Sequence, residues 1–385
     1  MNRKELLKRK DQFLRPNIFA FVLANLIVLT VFAYCFWINY SNLDFYFLFI
    51  DEDGYVEWAT TWAFLLASIA SLFGAIRGQV QIKKFHWFYI GLSLFCFVVA
   101  MEEISWGQRL FGFQSPKYFL ENNYQQEFTA HNMISDSLRN FTFYFIVIGY
   151  GIILPLCMLV PKLRRLIVWL GVVAPPIELI PSFYAIVFIY KTKPLVGIGE
   201  VVELMLGLSF LFAIVFSLWD FTPLRIRSRV IEQLILIIGI SFLTFGLGFV
   251  TSELTLNKDV DNSKLIDDSL KEMEAIKNDF KQRSKQLGRF PIKEHSNMRL
   301  FISVNNNDFE WMYKGEFSAL KKEGLSNNRA NYFLDPWNMA YWVGFRVDND
   351  TNKNRLVFYS FGPNRKPDSF KGDDIRINLF ETDLE

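Results

Sequence analysis

Runs of about 20 apolar residues recur along the first 250 positions of the chain, and short polar loops separate them. A run of this length crosses the roughly 30 Å hydrocarbon core of a bilayer as an α-helix. The first run is too long for a cleaved signal peptide and lacks a small-residue cleavage site, so we expect a retained span. The pattern predicts seven membrane-spanning helices, near 17–38, 57–76, 86–104, 141–160, 166–190, 195–218 and 230–250.

The pattern changes after Val250. Residues 251–262 form a polar linker, and from 263 to about 287 apolar residues recur at helical spacing among many charges. Short runs rich in β-branched and aromatic residues follow, between turns rich in Asn and Asp. These runs lie near 298–304, 309–313, 339–346, 355–361 and 375–380. The chain is thus predicted to be an α-helical polytopic membrane domain over 1–250 and an α+β domain over 263–385, a helix followed by a small antiparallel sheet.

Composition agrees with a membrane chain. Hydrophobic residues make up 51% of the sequence, which is too much for an ordinary soluble protein. The formal net charge is only +2, which gives no global electrostatic support for nucleic-acid binding. The three cysteines all fall within apolar runs and offer no disulfide or zinc framework. We therefore expect membrane lipid, and no nucleic acid, among the partners.

Lysine and arginine in the short loops predict the orientation. Basic residues cluster before the first span and in the second, fourth and sixth loops, whereas the first outer loop, 40–55, has acidic residues and no basic residue. Lys191 and Lys193 are the mild exception, because they fall on the outer side. The majority predicts a cytoplasmic N-terminus and an extracytoplasmic C-terminal domain, which in a bacterial inner membrane is periplasmic or extracellular.

With this topology, the ionisable residues of the spans and outer loops fall at one level. An ionised group at membrane depth costs roughly 2.5–3.5 kcal/mol, so such groups usually serve function. The predicted site at the extracytoplasmic face contains Glu57, Glu102, Glu103, Arg109, Glu127, His131, Glu200 and Glu203.

Local spacing adds three expectations. If the third helix continues to 109, Glu102, Ser105 and Arg109 share one face. Glu127 and His131 are four residues apart, which on a helix lets both hold one metal ion or each other. The third expectation is that Glu200 and Glu203, three residues apart, face the bundle rather than lipid.

The fifth predicted span is interrupted near its middle by Pro175, Pro176 and Pro181. Proline removes helix hydrogen bonds, and broken backbone at membrane depth is tolerated only where protein buries it or where it lines a watery cavity. Glu178, within this break, is expected to reach the floor of a cavity that opens outward. The broken span is also the feature that favours a transporter.

An oxygen-rich site with one histidine suits Mg²⁺, Ca²⁺ or Mn²⁺ better than structural zinc. A divalent metal, or a Glu/His pair, would activate water against a lipid-linked ester, amide or phosphate, as in a hydrolase or transferase. The sequence contains none of the HExxH, GxSxG or Gly-rich phosphate-loop motifs. The alternative is a non-enzymatic envelope receptor, scaffold or secretion-associated protein in which the polar cluster is a structural ion-pair network.

Three motifs carry a first resemblance. They are Glu52-Asp-Gly-x-x-Glu-Trp58, Glu102-Glu-x-Ser-Trp-Gly-Gln-Arg109 and Gln125-x-Glu-x-x-x-His-Asn132. With them the N-terminal region resembles a group of multi-spanning bacterial membrane proteins of unassigned function.

The C-terminal region carries a second resemblance. After the amphipathic helix come Leu287-Gly-Arg-Phe-Pro291, Asp335-Pro-Trp-Asn-Met-Ala-Tyr-Trp342, Phe358-Tyr-Ser-Phe-Gly-Pro-Asn364 and Gly372-Asp-Asp-Ile375. In this order they resemble the globular domain of the major pseudopilin of type II secretion, over about 263–380. The family's cleavage glycine is absent near Arg227 and Ser228, so polymerisation into a pseudopilus is not expected.

The second resemblance implies a calcium site in the last loop and contacts with envelope or secretion proteins. Asn364 stands where the family tends to carry an acid. The implied ligands are Asn364, Asp368, Asp373 and Asp374.

Overall fold

The computed structural model describes residues 16–50, 54–82, 86–123, 126–219, 229–256, 262–287, 298–299, 327–348, 353–363, 365 and 374–383. The chain forms two compact units. The first, here the helical unit, comprises 1–104 and 135–254. The second, here the mixed unit, comprises 105–134 and 255–385.

The helices of the described residues are given in chain order. They are α1 Ile18–Ser41, α2 Leu43–Ile50, α3 Tyr55–Ile82, α4 Trp87–Glu103, α5 Gln108–Phe111, α6 Lys117–Asn122, α7 Asp136–Tyr144, α8 Leu154–Cys157, α9 Pro161–Leu170, α10 Ile180–Thr192, α11 Ile198–Ser217, α12 Val230–Leu256, α13 Ser263–Leu287 and α14 Asn327–Tyr332. Short 3₁₀ turns lie at Ser105–Gly107, His131–Met133 and Ile177–Leu179, and a π-helix at Phe145–Ile153 joins α7 to α8.

Five helical segments among the described residues are long and apolar enough to cross a membrane. They are Ile18–Ser41, Tyr55–Arg77, Ser137–Cys157, Ile198–Ser217 and Val230–Leu254. By length and composition, the described residues therefore hold five candidate spans and not the predicted seven. The third predicted span is the 17-residue α4, which stops at Glu103 before a turn with left-handed backbone. The fifth is divided into α9 and α10.

The core of the helical unit surrounds α11, most of whose residues are buried. Helix α3 packs against α4 through Ser68 and Ser93, each of whose hydroxyls donates to the other's backbone carbonyl at 2.9 Å. Gly248 of α12 lies so close to α3 that an added Cβ would be 2.9 Å from the Ala59 backbone. Small residues and hydroxyl pairs of this kind let helices associate in an apolar solvent.

The predicted break in the fifth span is present before α10, and a side chain from α1 forms hydrogen bonds with the backbone at this break. The Asn25 side chain donates to the Glu178 carbonyl at 2.8 Å and accepts from the Ser182 amide at 3.1 Å and the Ser182 hydroxyl at 2.6 Å. Two backbone polar groups at the break, the Glu178 carbonyl and the Ser182 amide, thus have a protein partner, as broken backbone at membrane depth requires.

The predicted linker over 251–262 is wrong in its first half, because α12 continues to Leu256. The Thr251 hydroxyl donates to the Leu247 carbonyl at 2.7 Å, and the Tyr55 hydroxyl donates to Glu253. These bonds hold polar residues within the helix. Residues 257–261 lie outside the described residues.

The mixed unit contains α13, α14 and an antiparallel sheet that confirms the predicted class of this domain. Within the described ranges its strands are β1 Met298–Arg299, β2 Trp342–Asp348, β3 Lys353–Ser360 and β4 Ile375–Asp383, in that order across the sheet. Register pairs include Val343 with Phe358 and Phe358 with Ile377. Helix α13 packs against β3 and β4. The predicted run 309–313 lies outside the described residues.

Residues 105–134 fold with the C-terminal part of the chain, although the sequence assigns them to the membrane domain. Leu120 is buried with Tyr332 and Leu334. The Tyr332 hydroxyl donates to Glu121 at 2.9 Å, and the Asn338 side chain donates to the Gly112 carbonyl at 3.1 Å. Residues 105–134 therefore belong to the mixed unit and not to the predicted membrane domain.

Candidate functional site

Three carboxylates of the helical unit meet at the end of α4 and the start of α11. Glu103, Glu200 and Glu203, here the acidic triad, each offer one oxygen, and these oxygens lie within 4.8 Å of one another. All three residues are half-buried. Glu103 also interacts electrostatically with Glu57 and Glu102. The structure therefore brings together five acids that the sequence places in three different spans.

The local fold explains how these acids are presented. Glu200 and Glu203 lie one turn apart on α11, so they share a face. Glu103 is the last residue of α4. Glu57 lies in the first turn of α3 and is buried, and Glu200 lies in the first turn of α11. The positive end of a helix dipole stabilises anions there, by about 0.3–1 kcal/mol each. That gain is smaller than the cost of gathering several anions.

The donor set of the acidic triad fits a hard divalent cation. Carboxylate oxygens are the preferred ligands of Mg²⁺, Mn²⁺ and Ca²⁺. With metal–oxygen distances of about 2.1–2.5 Å, two ligands of one ion lie at most about 4–5 Å apart. The oxygens of the triad satisfy this limit without rearrangement of the backbone.

The expected face of Glu102, Ser105 and Arg109 does not form, because the helix ends before Ser105. Ser105, Trp106 and Gly107 have φ values of 48°, 54° and 78°. This left-handed turn interrupts the helical register of α4. Arg109 belongs to α5 in the mixed unit, and its side chain is outside the described residues.

No helix covers both Glu127 and His131, so their spacing of four residues does not place them on one helix face. The Asn123 side chain donates to the Glu127 and Thr129 carbonyls, both at 2.8 Å, and so fixes an irregular loop. Glu127 is buried and accepts a hydrogen bond from the Ser105 hydroxyl at 3.1 Å, whereas His131 is exposed. Both residues belong to the mixed unit rather than to the helical unit that holds the acidic triad.

Glu178 lies far from the acidic triad within the helical unit. It contacts the first half of α1 at Asn25, and Phe21, one turn earlier, packs against Phe216 near the end of α11. Glu200 lies at the start of α11, so the two acids are separated by most of that helix, about 20 Å at 1.5 Å per residue. Glu178 lines a separate cavity of about 330 Å³. The expectation that it reaches the floor of the outward site is wrong.

The pair formed by Tyr55 and Glu253 is not among the sequence predictions. It joins the start of α3 to the end of α12. The sequence pattern places Glu253 in the predicted linker. No helix-breaking residue separates it from the preceding apolar run, however, so the helix can continue through it. Its position one turn beyond Phe249, which stacks on Tyr55 at 5.5 Å, is the feature that would have indicated it.

Of the calcium ligands implied by the pseudopilin resemblance, the structure describes only Asp374, half-buried at the start of β4. Asn364, Asp368 and Asp373 lie outside the described residues.

Comparison with protein-family models, with curated proteins and with solved structures finds no match to this chain. The acidic triad therefore has to be interpreted from its own chemistry.

Proposed function

We propose that the acidic triad is a divalent-cation site at the extracytoplasmic end of a membrane protein, and that it serves hydrolysis or group transfer on a lipid-like substrate. The observation that carries the proposal is the convergence of Glu103, Glu200 and Glu203 within 4.8 Å. Carboxylates gathered in this way repel one another unless a cation or protons compensate them. A divalent cation is the ligand that three oxygen donors at this spacing best accommodate.

The residues of the site have separable roles in this proposal. The acidic triad binds and positions the cation. A bound divalent ion would supply Lewis-acid polarisation of a carbonyl or phosphoryl oxygen and would lower the pKa of bound water. Glu57 and Glu102, which interact with Glu103, are the candidates to accept a proton from the attacking water.

The proposed location is a bacterial inner membrane, with the N-terminus in the cytoplasm and the mixed unit outside. The bias of lysine and arginine toward the second, fourth and sixth loops supports this orientation. This orientation requires α4 and the α9–α10 pair to pass through the membrane beside the five longer segments, and 105–134 and the C-terminal residues, which form one compact unit, are then both extracytoplasmic.

Manganese provides the direct test, since its binding can be followed by electron paramagnetic resonance on the purified full-length protein. We expect one bound Mn²⁺ that Mg²⁺ competes away, and Glu203→Gln or Glu103→Gln should weaken its affinity at least tenfold. Glu178→Gln is the matched control, because it removes a carboxylate of the same unit that lies about 20 Å from the triad. Equal affinity in all four proteins would refute the cation site.

As a second candidate we propose a non-enzymatic, secretion-associated role for the mixed unit. Its support is the packing of the 25-residue α13 on an antiparallel sheet, in the element order that the pseudopilin resemblance implies. Calcium should then slow hydrogen exchange in the peptides around Asp374 in the full-length protein, and Asp374→Asn should remove the effect. No change in exchange with calcium would count against this candidate.

A further inference from the structure

A second cavity of the helical unit lies between α1, α2, α11 and α12. Its volume is about 510 Å³, within the range of small-ligand sites. Residues from all four helices line it, among them Leu23, Ile27, Cys35, Phe49, Leu204 and Phe242.

The lining presents almost nothing polar to an occupant. Its two aliphatic hydroxyls bond within their own helices: Thr30 donates to the Leu26 carbonyl at 2.7 Å, and Ser241 donates to the Ile237 carbonyl at 2.8 Å. An occupant therefore gains no hydrogen bond from either hydroxyl donor and is selected by apolar contact.

The length of the cavity is similar to half the thickness of the hydrocarbon core of a bilayer. Along α1 it runs from Leu23 to Cys35, a rise of about 18 Å at 1.5 Å per residue. Half of the roughly 30 Å hydrocarbon core is about 15 Å. Ile238 and Phe242 on the α12 side are more than half exposed, so within a membrane this wall faces lipid and allows lateral entry.

The outer end of the cavity leads toward the acids. Leu204 lines the cavity and directly follows Glu203 of the acidic triad. Phe49, another lining residue, contacts the ring of Tyr55 with centroids 5.6 Å apart. Tyr55 lies two residues before Glu57, in the same first turn of α3.

We propose that this cavity binds one acyl chain of a membrane lipid, and that the lipid's polar head group then lies at the acidic triad. The inference rests on the proposed function for the identity of the triad, and it assigns the substrate class: an acyl-chain lipid taken from the outer leaflet. The apolar lining selects the tail, and the acids, with their cation, select the head group.

Photo-crosslinking tests the tail site. The full-length protein is placed in nanodiscs of phosphatidylethanolamine and phosphatidylglycerol that contain a phosphatidylglycerol with a diazirine on one acyl chain. After illumination, labelled residues are mapped by mass spectrometry. We expect labelling at Thr30 and Phe242 at least fivefold above that at Leu29 and Leu243, which are also exposed on α1 and α12 but do not line the cavity.

Two matched pairs of variants probe the volume of the cavity. Ser241→Trp and Thr30→Phe fill it and should reduce the labelling of Phe242 at least fivefold, whereas Leu243→Trp and Leu29→Phe should leave it unchanged. Because Ser241 is buried, Thr30→Phe keeps the test valid if Ser241→Trp does not fold. Uniform labelling of lipid-facing residues, or labelling that the filling variants do not reduce, would overturn the proposal.

The crosslinking experiment and the Mn²⁺ titration can succeed or fail independently of each other. Crosslinking reports on the tail alone, and the Mn²⁺ titration reports on the triad alone. Diffuse labelling together with Glu203-dependent Mn²⁺ binding would remove the acyl site and leave the proposed function. Confined labelling without Mn²⁺ binding would remove the proposed function and leave a lipid-tail site.

Discussion

Glu272 and Asp335, two buried acids of the mixed unit, each accept several hydrogen bonds, whereas three acids of the helical unit converge on one another. Glu272 of α13 accepts two bonds from Arg329, both at 2.8 Å, and one from the Tyr341 hydroxyl at 2.6 Å. Asp335 accepts from the amides of Trp337 and Met339 at 2.9 Å and from the Ser360 hydroxyl at 2.6 Å. In the acidic triad the close neighbours include carboxylate oxygens, within 4.8 Å.

The difference separates two uses of a buried carboxylate. An acid whose oxygens are satisfied by fixed donors holds elements of the fold together, and here it joins α13 to α14 and to the residue before β2. Acids that converge on one another raise the electrostatic free energy of the fold, because their charges repel. The proposed cation would compensate these charges, and we therefore expect removal of one acid of the triad to have the opposite effect from disruption of the Glu272 network.

The largest expected effect is on the mixed unit. Arg329→Ala leaves Glu272 buried without its charged partner and should reduce the free energy of unfolding of this unit by about 3 kcal/mol. Urea denaturation of the full-length protein, followed by hydrogen exchange in α13 peptides, measures the loss. Lys277→Ala is the control, since it removes an ion pair with a half-exposed Glu274 and should cost less than about 1 kcal/mol. Equal losses would show that the Glu272 network adds no stability.

The next effect is a dependence on pH. Burial raises the pKa of Asp335 from 3.8 to about 6, against the lowering by its hydrogen bonds from Ser360, Met339 and Trp337. The folded state therefore holds a proton that the unfolded state has lost between about pH 4 and 6, and stability falls as pH rises through this window. We expect Asp335 to make the mixed unit about 2 kcal/mol less stable at pH 7 than at pH 4.5.

Urea midpoints at the two pH values, compared with those of Asp335→Asn, isolate this contribution. The amide keeps an oxygen that can accept from the two backbone amides but does not titrate. A difference between pH 4.5 and pH 7 that is the same in both proteins would exclude Asp335 as its source.

The smallest effect has the opposite sign and lies in the helical unit. In the absence of divalent cations, Glu203→Gln should raise the stability of this unit by about 1 kcal/mol, the scale of Coulomb repulsion between unit charges 4–5 Å apart in a watery environment. The same variant should lose the thermal stabilisation that Mg²⁺ gives to the wild-type protein. Glu178→Gln should show neither change. Destabilisation by Glu203→Gln without cations would mean that the triad acts as a structural network.

The sequence predicts those features that depend on periodicity. Apolar runs locate the five candidate spans, and short runs rich in β-branched and aromatic residues locate β2, β3 and β4. The common face of Glu200 and Glu203 follows from their spacing of three residues, because α11 is a regular helix there. Their level, matched to that of Glu103, follows from the order of the spans.

Features that depend on irregular backbone or on contacts between distant residues cannot be predicted from periodicity. Ser105 and Trp106 take left-handed backbone without being glycine, so the sequence does not reveal that the helix cannot continue to 109. The contact of Leu120 with Tyr332 joins positions more than 200 residues apart, and no local spacing in the sequence predicts it. The same holds for Asn25, whose bonds to Glu178 and Ser182 stabilise the break that the prolines do predict.

The composition of the mixed unit from two distant segments has a consequence for biosynthesis. Residues 105–134 leave the ribosome about 200 residues before Tyr332 and Leu334, with which Leu120 packs. At about 5–20 residues per second, this is a delay of roughly 10–40 s. During that time the helices from α7 to α12 enter the membrane while the apolar side of the first segment has no partner. Maturation of this protein is therefore expected to depend on whatever protects an unfinished half-domain at the membrane surface.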